Sequence, residues 1–524
     1  MLNIQKKLSN SFYAMLALPA TAMGFALAVQ IAALSWLLST RYGLDIRDIG
    51  LVWATGPFAG IVGQVIIGII SDKVWVWNGR RRVFILIGGV LASLMLLALP
   101  HIGVIQASMG IGGILGVAIT ISLTLDLAIN VSFNPTRSII ADVTPEGRPR
   151  TKGYTWMQTV SGTFGVLAYL IGAVFNNYVL IYFGAVLVFV FSVIPPLFIK
   201  EPRYLGQYGK EDEEPVQDTS QADASRQVND ASLIEIMKTI LPLWGFLIYA
   251  IYGFLVRLAG IPRVPYYAVE IFSMALTLAL MVYVLSRKEE GKSKEAGGLI
   301  GCQKVLSAHA FTWIGVQTMF IYMFAFVRFR VPEIADFEID TALLGSLESG
   351  EAAAEAAAAE QSAIDVINDT IGRIVNWSFF SLNLVAAIIP VVLLEPLAAK
   401  FGRVKIHFLS IAIMAVGYIN LVYFGFSPWA IYLLMAVVGI GWAATISLPF
   451  AIMSQKIPQS RMGLYMGLFN LFVSSLGVGE LVNDVEDKSI IFIISAITVA
   501  ISAIAWAMIK EPVDTYTADP INPD

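Results

Sequence analysis

The chain has 524 residues, 57% of them hydrophobic and 14% charged, with a formal net charge of −4. A soluble domain carries roughly 25% charged residues, so this composition, with a mean hydropathy of +0.74, calls for lipid as the main solvent and gives no basic tail for nucleic acid. The single Cys302 excludes an internal disulfide or thiolate cluster, and His101, His309 and His407 are too scattered in sequence for a histidine metal site.

Long apolar segments satisfy their backbone groups in hydrocarbon as helices, and the alternation of a membrane barrel is absent. Apolar windows predict spans at 13–39, 47–71, 83–104, 107–137, 153–175 and 178–199. Lys6 and Lys7 precede the first run as in a signal peptide, but its length marks a retained span. A polar linker follows, with Lys210 to Glu214 at its start, then a further pair of spans at 239–260 and 263–286 and a charged stretch from Arg287 to Glu295. Six more spans fit at 304–327, 371–398, 404–424, 428–453, 462–482 and 488–509, a total of 14.

The fold class expected is all-α integral membrane: two six-helix bundles with an extra helix pair between them. The divisions are 1–200, an N-terminal bundle; 201–303, a cytoplasmic linker holding the hairpin 239–286; 304–510, a C-terminal bundle with an outer loop at 331–368; and 511–524, a cytoplasmic tail. In this layout 26 of the 34 Lys and Arg lie inside, which puts both termini in the cytoplasm. The acidic outer loop contains the Ala/Glu run 351–360, whose composition suits a short solvated helix on a tolerated insertion.

The fourth span contains Asp126, Asn130, Pro135, Arg137 and Asp142. A carboxylate inside an apolar span is expensive and faces a cavity or a partner. At about 100° per residue Asn130 and Arg137 share the face of Asp126, with Arg137 about 16 Å further along. The two charges cannot touch, yet both can look into one aqueous cavity, and Pro135 frees a backbone carbonyl there. An aspartate so placed binds a proton when desolvated and releases it when solvated; the bland alternative is an ion pair with another helix.

Polar and aromatic residues recur at helical spacing elsewhere: Gln30 on the first span; Tyr154, Gln158, Ser161 and Gly165 on the fifth; and Trp313, Gln317 and Phe320 on the span at 304–327. Asn376, Phe380 and Asn383 follow on 371–398, Thr445 and Ser447 on 428–453, and Asn470 on 462–482. Amides beside flat apolar walls suit a sugar, while the same residue types also join helices in membranes. A basic turn, Asp72 to Gly79-Arg80-Arg81-Arg82, lies between the second and third spans, with a weaker copy at Glu395 to Lys405. It anchors the cytoplasmic side, and Asp72 with the arginines can latch the bundles together in one state. There is no Walker loop and no His-Glu-x-x-His, which argues against an ATP-driven pump or a zinc protease.

These segments resemble the sucrose-transporter branch of the glycoside–pentoside–hexuronide:cation symporters, within the major facilitator superfamily. The carriers of the resemblance are Ser71-Asp72 with Gly79-Arg80-Arg81-Arg82, the fourth-span pattern at Asp126, Asn130, Pro135, Arg137 and Asp142, and the stretches Ser447 to Ala451 and Gly463 to Asn470. The resemblance implies proton coupling and sugar binding at Asp126 and an important arginine at Arg137. The second span has no acid before Asp72, which favours protons over the sodium of melibiose-type relatives while leaving sodium open. The expectation is a proton-coupled symporter of a disaccharide such as sucrose or maltose, monomeric in the cell membrane, with no organic cofactor and no catalytic residues. Gln30, Asn130, Gln158, Trp313, Gln317, Asn376, Asn383 and Asn470 are its substrate-site candidates; an efflux antiporter or a non-transporting sugar sensor are the alternatives.

Overall fold

The computed structural model describes residues 3–60, 70, 75–77, 79–110, 113–145, 148–202, 233–258, 260–332, 334, 351–456 and 476–511. Asp72, Asn470 and most of the 462–482 span lie outside the described residues. Apart from one isolated bridge between Val76 and Gly79, the described secondary structure is helical.

The first set comprises α1 (Asn10–Thr40), α2 (Ile46–Trp53, continued by Thr55–Gly60), α3 (Arg82–Ala98), α4 (Ile114–Val143), α5 (Arg148–Val174) and α6 (Asn177–Phe198). The hairpin is α7 (Trp244–Leu258) and α8 (Ala268–Ser286). The second set is α9 (Lys294–Arg330), α10 (Glu351–Ile389), α11 (Arg403–Phe424), α12 (Pro428–Lys456), α13 (Leu476–Asp484) and α14 (Ile490–Ala507). Eleven helices among the described residues are long and apolar enough to cross a membrane. The expected spans at 47–71 and 462–482 are described only in part, and α7 is short, with 15 residues.

Several boundaries differ from the hydropathy windows for local reasons. The fourth helix starts at Ile114, not 107, because Gly110 and Gly113 take positive φ and break the chain after Met109. Helix α9 begins ten residues before its apolar window, where the Ser293 side chain accepts from the Ala296 amide. The Ala/Glu run is helical as expected, but it is not separate. Ala and Glu are good helix formers, no Pro intervenes, and the run continues directly into the span as α10.

Helices α1 to α6 pack mainly among themselves, and so do α9 to α14. The pairings repeat in order. As α6 lies against α1 and α3, so α14 lies against α9 and α11; as α4 lies against α3 and α2, so α12 lies against α11 and α10. The seam between the sets follows the same rule, with α5 on α10 and α2 on α13. The hairpin straddles one edge of this seam. Helix α8 packs on α9 and α7 on α13, while Tyr249 packs against the small cluster of Leu51 and Ala54 in the first set.

Candidate functional site

The seam is sealed at one end, around the last turns of α1. There the Trp36 indole donates to the Asn368 carbonyl at 2.7 Å, and the Asn376 amide donates to Asn177 Oδ1 at 2.8 Å. Glycines allow this approach. A Cβ on Gly172 would collide with the Asn376 side chain, and one on Gly50 with the Tyr322 hydroxyl. Gly372 and Gly479 reciprocate: a Cβ there would sit 2.8 Å from Asn177 Nδ2 and 2.7 Å from the Tyr322 hydroxyl. Three of these glycines, Gly172, Gly50 and Gly372, admit a side chain from the opposite set, while Gly479 admits Tyr322 of its own set, so that the hydroxyl can reach Gly50.

Deeper along the seam the helices part. On α5, Gln158, Gly162, Gly165 and Tyr169 fall on one stripe at helical spacing. Tyr169 meets Phe379 of α10 with ring centroids 5.7 Å apart, whereas a Cβ on Gly162 or Gly165 would meet nothing within 4 Å. Gln158, at the head of the stripe, is exposed. Across 301–327 of α9, the two positions that are not buried are Trp313 and Gln317, one turn apart. A helix buried on every other face thus opens to an accessible space along one narrow stripe.

An aromatic wall stands there. Trp442 of α12 lies edge-on to Trp313 and Phe320, at 5.9 and 5.3 Å, and Phe320 lies 5.3 Å from Phe379. The Trp442 indole donates to Asn383 Oδ1 at 3.3 Å, and the Asn383 amide donates to the Phe379 carbonyl. Trp442 was not a candidate from sequence. It sits in Gly-Trp-Ala-Ala-Thr, one turn before Thr445, where a tryptophan in an apolar span reads as ordinary packing.

Asp126 lies in the first set, buried between three helices. Its Oδ1 accepts from Gln30 Nε2 of α1 at 3.0 Å, and its Oδ2 accepts from the Thr55 hydroxyl at 3.2 Å. Gly56 keeps the space beside the carboxylate open, since a Cβ there would reach to 3.5 Å of Oδ2. Among the described residues no Lys or Arg forms an ion pair with Asp126. Thr55 escaped the sequence reading because a lone threonine before Gly-Pro carries no distinguishing signal. Asn130 donates to the Asp126 backbone carbonyl at 2.8 Å. Arg137 is exposed, with its guanidinium 4.5 Å over the Phe133 ring.

The remaining candidates divide by position. Asn376 is fully buried in the sealed end in this conformation. Tyr154 donates to the Arg137 carbonyl, and Ser161 bonds the Thr21 hydroxyl of α1, so both join neighbouring helices. Thr445 and Ser447 donate to carbonyls one turn back on their own helix.

The basic turn is tied into the first set. Glu201, just past α6, accepts from the backbone amides of Arg80, Arg81 and Arg82 at 2.7, 2.8 and 2.9 Å, which caps the start of α3. Arg81 Nε pairs with Asp142 at 3.0 Å. The second set repeats the device. Glu511 accepts from the amides of Arg403 and Val404 at 2.6 and 2.9 Å, at the start of α11. The signal was present in sequence as the identical tetrapeptides Ile199-Lys200-Glu201-Pro202 and Ile509-Lys510-Glu511-Pro512, which close the two six-span halves.

A helical membrane protein of two repeated bundles meeting over a central opening is the class this geometry defines. The Major Facilitator Superfamily profile matches residues 16–287, more than half of the chain. The chain belongs to the Major Facilitator Superfamily. It is 31% identical over 153 residues to the general alpha-glucoside permease of Schizosaccharomyces pombe, covering 26% of this chain and 28% of that protein. It is 27% identical over 183 residues to the sucrose transport protein SUC4 of Arabidopsis thaliana, covering 32% and 34%. The chain thus matches about a third or less of these relatives' length. Among solved structures, the inward open conformation of the xylose transporter XylE from E. coli aligns with a TM-score of 0.56 and 13% identity, over 96% of this chain and 97% of that one.

Proposed function

We propose that the protein is a secondary active transporter that couples proton movement to uptake of a sugar, with an α-linked disaccharide such as sucrose or maltose as substrate class. The observation that carries this reading is Asp126: a carboxylate buried in a transport fold, held by two neutral donors and facing no cation among the described residues. A buried charge without a partner costs several kcal/mol, so the halves close over an ionised Asp126 at a penalty that protonation removes. Sugar and proton are then coupled, because both must be in place before the seam changes sides.

The second half supplies the sugar wall. Trp313, Trp442 and Phe320 offer flat apolar faces, and Gln317, Asn383 and, across the seam, Gln158 offer amides at the edge of the same opening. The permease and sucrose transport proteins to which the chain is similar support a glucoside over other solutes. The charge bias of the sequence makes the sealed end the outer one and both termini cytoplasmic.

The test is uptake into proteoliposomes with an imposed pH gradient, across a panel of mono- and disaccharides. Accumulation of a disaccharide that collapses with a protonophore is expected. Absence of gradient-driven uptake for every sugar in the panel would rule the reading out.

A further inference from the structure

The accessible indole of Trp313 is held from behind by a histidine that faces no part of the opening. His309 lies one turn earlier on α9, with 4% of its surface exposed. The Trp313 Nε1–H donates to His309 Nε2 at 2.7 Å, and the two rings stand edge to face at 5.9 Å and 88°. An imidazole nitrogen that accepts from an indole N–H carries no proton, so Nε2 is the bare nitrogen and His309 is neutral while this bond exists. The histidine is itself wedged. Trp506 of α14 stands edge-on to it at 6.3 Å and edge-on also to His407 of α11 at 4.4 Å.

We propose that His309 is a positioning residue for the substrate: it fixes the plane of Trp313, and through it the edge-on contact with Trp442, so that the aromatic wall is set before the sugar arrives. This rests on the reading of Trp313 as part of a sugar site. An indole has two side-chain torsions, and Trp313 is only partly buried, so with its N–H unbonded the ring can turn. Its N–H would otherwise seek the sugar or water. The hydrogen bond to His309 removes that freedom and directs the ring face, not the N–H, toward the ligand. Preorganisation of this kind acts on affinity. The net worth of one neutral hydrogen bond corresponds to about three- to tenfold in an equilibrium constant.

The experiment compares wild-type protein with His309→Leu, His309→Gln, Trp313→Phe and the double variant His309→Leu/Trp313→Phe in proteoliposomes. Uptake is measured over a range of disaccharide concentration under an imposed pH gradient. His309→Leu is expected to raise KM about three- to tenfold with kcat within about twofold, and His309→Gln, which keeps an acceptor, to recover most of that loss. Adding His309→Leu to Trp313→Phe should cost nothing further. A sugar-independent readout is the ultraviolet resonance Raman band that reports indole N–H hydrogen bonding. Trp36, Trp53, Trp244 and Trp442 keep their own bonds, so the Trp313 contribution is read in the difference spectrum against wild type, and the same bonded component should be lost in His309→Leu and in Trp313→Phe. An unchanged Raman band in His309→Leu overturns the proposal, as does an unchanged KM in that variant when Trp313→Phe raises it. If Trp313→Phe leaves KM unchanged, Trp313 is no part of the sugar site, and the proposal falls together with that reading.

Discussion

Asn376 of α10 donates a hydrogen bond to Asn177 at the start of α6, 2.8 Å across the seam between the two halves, and a second to the Gly372 carbonyl on its own helix at 2.7 Å. Both side chains are buried, so the pair exists only while this end is shut. Replacing Asn376 by Ala leaves the Asn177 oxygen without its donor, at about 1–3 kcal/mol. That loss falls on the sealed state and not on the open one. The expected result is a shift of about 5- to 30-fold or more toward the state open at this end, read as a longer spin-label distance across the seam. An unaltered distance distribution would mean the pair does not contribute to closure.

Gly172 makes the same point by sterics. A Cβ there overlaps the Asn376 side chain, and a larger side chain cannot be accommodated without parting α5 from α10. Gly172→Leu is expected to hold the seam open at this end. Sugar should still bind, but net uptake should fall at least about tenfold, measured as equilibrium binding against transport in the same preparation. Full transport by this variant would show that the seam tolerates the side chain.

The two carboxylate caps make a paired prediction about stability. Glu201 and Glu511 each receive backbone amides at a helix start, in different halves. Loss of a capping acceptor costs about 1–2 kcal/mol. Glu201→Ala and Glu511→Ala should each lower the melting temperature in detergent, and their effects should add, because the two caps share no partner. Glu201→Ala should cost more, since three amides lose their acceptor against two. Equal melting temperatures for wild type and Glu201→Ala would contradict the capping role.

Much of the fold was legible because lipid imposes a simple demand on sequence: about 20 apolar residues per span. Asp126 stood out for the same reason, as a carboxylate where hydrocarbon penalises charge. What hydropathy does not encode is how helices meet. Thr55 became a partner of Asp126 only through the packing of α2 on α4, and Trp442 joined Trp313 only through the packing of α12 on α9. Thr55 has no local pattern that marks it, and Trp442, one turn from Thr445, reads as ordinary packing in an apolar span. Asn376 shares helical spacing with Asn383, and in this conformation it lies buried in the closed end of the seam, a placement that spacing does not encode. The caps are a different case. The repeated Ile-Lys-Glu-Pro was fully visible in the sequence, and it takes a three-dimensional helix start to give the glutamate a purpose.

Asp126 is the residue that couples the proton to the sugar, with Gln30 and Thr55 holding it inside the first set. Asp126→Asn preserves shape and the acceptor for one neighbour but cannot ionise. In proteoliposomes this variant should retain sugar exchange across the membrane down a concentration gradient, while uphill accumulation driven by an imposed pH gradient disappears. Accumulation equal to that of the wild-type protein would contradict the account.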